Sequence, residues 1–369
     1  MLSLRGGKKK VKNVRKSSKN VRKSSKNVRK LSKNVRKSSK NVRKSSKKNN
    51  KIQLTLEHYK NPGFSVDRSK IKNYYVSDIH CHFRSFGKYN IDYETFVNWM
   101  INLGMLFCVV TGIGQRLPLK SRCRYYGDCD ETEVKPSITN DIININNLYT
   151  HFYKYKDKIE LILSITCLDF NNPKKSYNVL KFLLGEYKNK FKSCGEINLC
   201  KQAIKSNNVP CTAISNVIKL KKTMELLKKN KIPIVVHCDL GNNEKNLKFL
   251  KLITKFINTY KNNKIIWAHM GGISKELTNL NTKKHISILE NFLNKYKNLY
   301  IDMSWGAVGD IVFKTEKQKE SYSKLINKYS KQFLSGSDFV ASSDKTLKTY
   351  TSELKNTSCF LNQPNISTP

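Results

Sequence analysis

Tyr74-Tyr75-Val76-Ser77-Asp78-Ile79-His80-Cys81-His82 is a short apolar run that closes on two histidines. Residues two apart on a β-strand project to the same face, so the imidazoles of His80 and His82 converge while Cys81 points away. The run at 74–79 is the first of eight candidate strands, the others lying at 105–111, 159–167, 192–197, 232–237, 264–269, 299–304 and 332–337. Helical patterns separate them at 92–103, 175–190, 212–229, 243–260, 283–297 and 315–330. In the fourth of these, Leu247, Leu250, Ile253 and Ile257 carry the three-and-four spacing of one apolar helix face. Eight β/α units in roughly 300 residues predict an α/β fold of the (β/α)8 TIM-barrel type, whose usual size is about 250 residues plus insertions. A doubly wound open sheet is the alternative, but no Gly-x-Gly-x-x-Gly follows the first strand. The excess length falls between strands 2 and 3, in 112–158, an insertion holding Arg116, Pro118, Arg122, Arg124 and Gly127 before a predicted helix.

Candidate metal ligands stand at the ends of strands 1, 4, 5, 6 and 8: His80 and His82, Glu196, His237, His269 and Asp338. His237 and His269 are 32 residues apart, one barrel repeat, and His269 and Asp338 are 69 apart, two repeats. In a (β/α)8 barrel the C-terminal strand ends face one pocket, so these groups become neighbours. Four imidazoles and two carboxylates make a nitrogen and oxygen set suited to zinc or another divalent first-row metal. The other three histidines, His58, His151 and His285, fall in linker or helical segments and are expected to stay outside the site. Asp78 and Asp302 are candidates for orienting histidine rings.

The motifs Asp78-Ile79-His80-Cys81-His82, Gly195-Glu196-Ile197-Asn198, Val236-His237, Trp267-Ala268-His269-Met270-Gly271-Gly272 and Gly336-Ser337-Asp338-Phe339 together resemble the amidohydrolase superfamily, in its amidohydrolase-related metal-dependent hydrolase branch. The resemblance covers roughly residues 74–340. It implies that His80 and His82 bind the more buried of two metals with Asp338, that His237 and His269 hold the second, and that Glu196 bridges where many members use a carbamylated lysine. Two Zn2+ ions, or Mn2+ or Fe2+ in their place, are the implied cofactors. Such a site cleaves an ester, lactone, amide or phosphoester bond with a metal-activated water, and Asp338 is the implied catalytic residue that takes the water's proton. A TatD-like nuclease also uses a strand-4 glutamate, but Trp267-Ala268-His269-Met270-Gly271-Gly272 departs from that branch. A mononuclear decarboxylase and a catalytically idle barrel tethered through its tail are the other readings.

Residues 51–369 hold only five arginines, Arg68, Arg84, Arg116, Arg122 and Arg124, in a body otherwise served by lysine. Arginine forks bind carboxylate or phosphate bidentately as lysine cannot. Arg84, two residues past His82, is therefore the chosen contact to a small anionic substrate. Trp305 is expected to line the pocket, and Trp267 to lie in the core. Ser335-Gly336-Ser337-Asp338 lacks the Gly-x-Ser-x-Gly elbow of serine hydrolases.

The formal charge of +43 is uneven: residues 1–50 carry 21 Lys and Arg and no acid, and the other 319 carry 49 bases against 27 acids. Residues 13–47 are five copies of Asn-Val-Arg-Lys-Ser-Ser-Lys, with Leu31 replacing one serine. One valine per copy is too few for a coiled-coil seam, so disorder is expected, with nucleic acid or another polyanion as the tail's partner. The expected organisation is a tail at 1–50, a lead-in at 51–73, the barrel at 74–356 and a C-terminal tail at 357–369. No apolar stretch is long enough to span a membrane. Met1-Leu2-Ser3-Leu4 is followed at once by charge, which gives no signal-peptide core. An intracellular, soluble, cytoplasmic protein is expected, with nuclear or virion association through the tail as an extension. The ten cysteines then read mostly as small buried hydrophobes, and a zinc knuckle at Cys123 and Cys129 is disfavoured for want of a second pair.

Overall fold

The computed structural model describes residues 51–61, 70–72, 75–87, 89–118, 121 and 123–361, with side chains to 357. The repeat tail, Arg68, Tyr74, Arg122 and residues 362–369 lie outside the described residues. Eight parallel barrel strands follow the expected order: β1 Ser77–His82, β2 Phe107–Thr111, β3 Glu160–Ile165, β4 Phe191–Cys200, β5 Ile234–Cys238, β6 Ile265–Trp267, β7 Leu299–Asp302, and β8 in two pieces, Phe333–Leu334 and Phe339–Val340. The first piece of β8 pairs with β7 and the second with β1. The run 335–338 between them still bonds to β1, Ile79 N donating to Ser335 O at 3.1 Å and Asp338 N to His80 O at 2.7 Å. Strand 8 thereby closes the TIM barrel on strand 1.

Side-chain alternation divides the apolar residues between two layers. Val109, Val235 and Ile266 pack with Ile79 inside the barrel, while Cys108, Val110, Ile234, Val236 and Ile265 join the larger core beneath the helices. Helix Tyr93–Asn102 shows how the outer layer is built: the Asp92 side chain caps it by accepting from Thr95 N at 2.9 Å, and Phe96, Val97 and Met100 are buried. Two expected helices are shorter. The 212–229 pattern breaks at Leu220 into Ile214–Lys219 and Lys221–Lys229. The 243–260 pattern begins only at Leu250, because the Asn242 side chain accepts from Lys245 N at 2.9 Å and holds a turn there. Leu247, read as a helix-face residue, packs against the core from that turn.

The insertion carries a small antiparallel pairing of Gln115–Arg116 with Lys135–Pro136, then helix Ile138–Tyr155. Cys81, Cys108, Cys167, Cys194 and Cys238 are free and buried as expected. Cys123 and Cys129 depart from that reading, as do Cys200 and Cys211: each pair forms a disulfide closing a loop at the top of the barrel. Among the described residues no helix is long and apolar enough to cross a membrane.

His285 lies wholly buried on helix Thr282–Lys295, its Nδ1 bonded to Tyr322 OH at 2.7 Å. Burial pushes its pKa down to about 4. The unfolded chain therefore takes up this proton first, so stability present above about pH 6.5 is lost as pH falls toward 4, by roughly 3 kcal/mol at most. Replacing His285 with Phe is expected to flatten this part of the acid limb. Denaturant melts of both proteins at pH 7 and pH 4.5 check it: an unchanged difference between the two pH values removes His285 as the cause.

Candidate metal centre

Two β-bulges aim the first ligands inward. In β1 the register against β2 slips by one residue between Asp78 and Cys81, so Ile79 faces the barrel interior and His80 and His82 still turn inward above it. In β4 the register against β5 slips between Cys194 and Ile197, at Gly195-Glu196. Gly195 has φ +121°, and a Cβ there would lie 2.3 Å from Val235 O, so only glycine serves. His269 follows β6 in a left-handed turn with Met270, Gly271 and Gly272, at φ 57°, 52°, 76° and 85°. A Cβ on Gly272 would meet Cys238 O at 2.3 Å, which presses this turn against the end of β5. Asp338 and Trp305 also sit at positive φ, 58° and 86°; non-glycine residues held so cluster at functional sites.

The six expected ligands come together. His80, His82 and Glu196 offer donor atoms within 4.8 Å of one another, and so do Glu196, His237 and His269. Asp338 Oδ1 lies 3.1 Å from His82 Nε2 and 3.4 Å from His80 Nε2. Glu196 Oε1 lies 2.5 Å from His237 Nδ1 and 3.0 Å from His269 Nε2, and its Oε2 is 3.9 Å from His82 Nε2. All four imidazoles are buried. His58, His151 and His285 bond instead to Thr55, Glu94 and Tyr322, outside the cluster.

The second nitrogen of each ring decides whether a cation fits. His82 Nδ1 donates to Gly112 O at 2.5 Å, and a carbonyl can only accept, so in the neutral ring Nε2 carries a lone pair. That lone pair faces a carboxylate oxygen 3.1 Å away, an arrangement that calls for a cation between them. His80 repeats the pattern. Its Nδ1 donates to Asp302 Oδ2 at 2.6 Å, while Nε2 is buried without a hydrogen-bond partner. His237 Nε2 is held by Asp239 Oδ1 at 2.8 Å, and Asp239 is anchored by Gln202 N. Carboxylates behind ligating histidines fix ring and tautomer for a metal. The residues fit a divalent cation.

Asp302 thus occupies the expected place behind His80. Asp78 instead accepts from Ser337 N and Oγ, His80 N and Tyr350 OH, and so braces the β1–β8 junction. Burial disfavours charge throughout the cluster, yet the neighbours override it. Lys201, His237 and His269 hold Glu196 well below the carboxylate range. The charges of His269, His80 and His82 do the same for Asp338. With no cation bound, Asp302 outweighs the burial of His80 and raises it to about 10, so the ring keeps a proton on Nε2 that a bound cation would displace.

The cleft above the cluster has a volume of about 30 Å³. Trp305 lines it, with its ring centroid 5.0 Å from that of His269. Trp267 is fully buried, donating from Nε1 to Cys238 O. Arg84 does not line the cleft. It is half-buried beside Arg116, whose charge adds to burial in lowering its pKa, and its Nε lacks a hydrogen-bond partner. Sequence reading missed Asn198, Lys201, Tyr125 and Tyr126, which do line the cleft, and Asp239 behind His237. Asp239 could have been found from alternation, two residues beyond His237 and on its face. Tyr125 and Tyr126 come from the insertion, whose path no motif reveals.

No protein-family model matches the chain, and no curated protein matches it. Solved structures do resemble it. A dihydroorotase from Campylobacter jejuni aligns at 16% identity over 78% of this chain and 81% of its own, with a TM-score of 0.42. A zinc-bound amidohydrolase from Burkholderia multivorans aligns at 9% identity over 79% and 93%, with a TM-score of 0.49. A histidinol phosphate phosphatase from Lactococcus lactis aligns at 12% over 76% and 92%, with a TM-score of 0.39. At such values the likeness concerns the path of the chain, and the chemistry rests on the side chains themselves.

Proposed function

We propose that this chain is a metal-dependent hydrolase of the amidohydrolase superfamily. It would hold two divalent cations, zinc first, and cleave an ester, lactone, amide or phosphoester bond in a small anionic substrate. One observation carries this reading: two sets of donors, His80, His82 and Asp338 on one side and His237 and His269 on the other, meet at Glu196 with their ligand nitrogens unspent or turned on carboxylates. The first set would hold one cation, the second the other, and Glu196 would lie between them. A bound divalent cation supplies Lewis acidity and brings the pKa of water toward neutrality.

The chain's own groups supply the rest. Asp338 is ionised, reaches both first-strand histidines, and stands at the cleft, where it can take a proton from the attacking water and return it to the leaving group. Asp302 and Asp239 keep the rings of His80 and His237 turned toward the centre. Trp305 forms one wall of the cleft and limits water. The test is elemental quantification of the purified full chain, joined to a screen of ester, lactone, amide and phosphoester substrates. About two equivalents of metal, with hydrolysis lost in Glu196→Ala, is the expected result. One equivalent would replace this reading with a mononuclear site, and none would overturn it.

A further inference from the structure

Beyond the six candidate ligands, the cleft is lined by one cationic side chain, Lys201. It follows Glu196 by five residues at the end of β4, and its side chain is only 10% exposed. Nζ donates to Glu196 Oε2 at 3.2 Å, and among the described residues that is the one hydrogen bond it makes. An ammonium has three N–H groups, so two remain unspent in a buried position, where unpaired donors are costly. Asn198 lies one alternation beyond Glu196 on the same strand and lines the same cleft. Its Oδ1 is buried with no hydrogen-bond partner. Asn198 near the end of β4 and Lys201 just past it therefore hold unspent polar groups, an acceptor and a donor, at one cleft.

The charge balance says what that space would take. Glu196 and Asp338 are the carboxylates lining the cleft, and Lys201 is its lysine. Two divalent cations held by Glu196, Asp338 and the histidines would more than offset both carboxylates and leave the Lys201 charge over. Tyr125 and Trp305 also line the cleft, and Lys275 stands outside over both rings, 5.8 Å and 6.0 Å from their centroids. Aromatic walls that exclude water strengthen a buried charge–oxyanion contact.

We propose that Lys201 is the subsite that holds an oxyanion of the substrate, carboxylate or phosphoryl, directly beside the metal centre. Lys201 donates to the anionic oxygen, and Asn198 Oδ1 is left to accept from an N–H or O–H of the substrate next to it. This moves the principal anion contact from Arg84, on strand 1, to the end of strand 4. The inference rests on the metal-centre reading, since the surplus charge appears when a cation is held.

The test titrates metal-loaded full-length protein calorimetrically with malonate and, separately, with inorganic phosphate; the better probe identifies the oxyanion. Lys201→Met is expected to weaken that probe by about tenfold or more. Asn198→Ala, which removes an acceptor and no donor known to be free, should change malonate binding by less than about twofold. Metal content should be unchanged in both, and Lys201→Arg should restore most of the binding. All these proteins carry the same basic tail, so its contribution cancels. Unchanged binding in Lys201→Met overturns the proposal, as does a loss that only tracks lost metal, or a wild-type protein that binds neither probe. If Lys201→Met does not fold, Lys201→Gln, which keeps a polar side chain without the charge, decides in its place. Should the wild type take up no metal, the hydrolase reading falls; metal-loaded protein whose probe binding is unchanged by Lys201→Met overturns this proposal alone.

Discussion

Asp338→Asn lowers turnover by about 10²- to 10⁴-fold at saturating metal, with much smaller change in substrate binding. The substitution is nearly isosteric, and asparagine is among the side chains that tolerate the positive φ found here, so the β8 turn should persist. The backbone bond from residue 338 to His80 O does not involve the side chain and is kept. What disappears is the charge between His80 and His82 and the capacity to accept a proton. An amide is also the weaker ligand, which is why metal must be saturating and its content measured on the same sample. Turnover near wild type under those conditions would refute the proton-transfer role. A loss that added metal rescues would leave Asp338 a ligand only.

The sequence made the candidate ligands legible because a barrel repeats. Each β/α unit returns the chain to the same rim, so residues in phase at strand ends must meet, and His80, His82, Glu196, His237, His269 and Asp338 do. What stayed hidden depends on backbone events without a composition signal. Strict alternation along β1 would put Ile79 and His80 on opposite faces, and the slip after Asp78 lets both turn inward. Lys201 lies off the strand period of Glu196, so five-residue spacing alone could not place it at the cleft. The roof was least visible, because Tyr125 and Tyr126 arrive through an insertion fixed by long-range contacts. Asn207 Nδ2, for example, donates to Cys129 O at 2.8 Å and Thr132 O at 3.1 Å. Arg84 was chosen from rarity and position, and neither property places it in the cleft.

Removing metal is expected to abolish hydrolysis and to lower the melting temperature, and His82→Ala is the variant that separates the two effects. A ligand that binds only the folded state stabilises it by about 4 kcal/mol when present at a thousand times its dissociation constant. The unloaded centre has much to gain: His80 Nε2 is orphaned, and the lone pair of His82 faces the Asp338 carboxylate. Most single-ligand variants confuse the result by stranding a buried charge. His80→Ala would leave Asp302 without its imidazole, His237→Ala would do the same to Asp239, and Glu196→Ala would strand Lys201. His82 is different, since its Nδ1 spends its hydrogen bond on Gly112 O, a neutral carbonyl. Stripped wild type and stripped His82→Ala should therefore melt close together, apart from the ordinary cost of a truncated side chain. On reloading with zinc, the wild type should rise by several degrees and the variant by much less. An equal rise in both would show that the stabilising metal sits elsewhere, and no rise in either would show that these six residues do not form a metal centre.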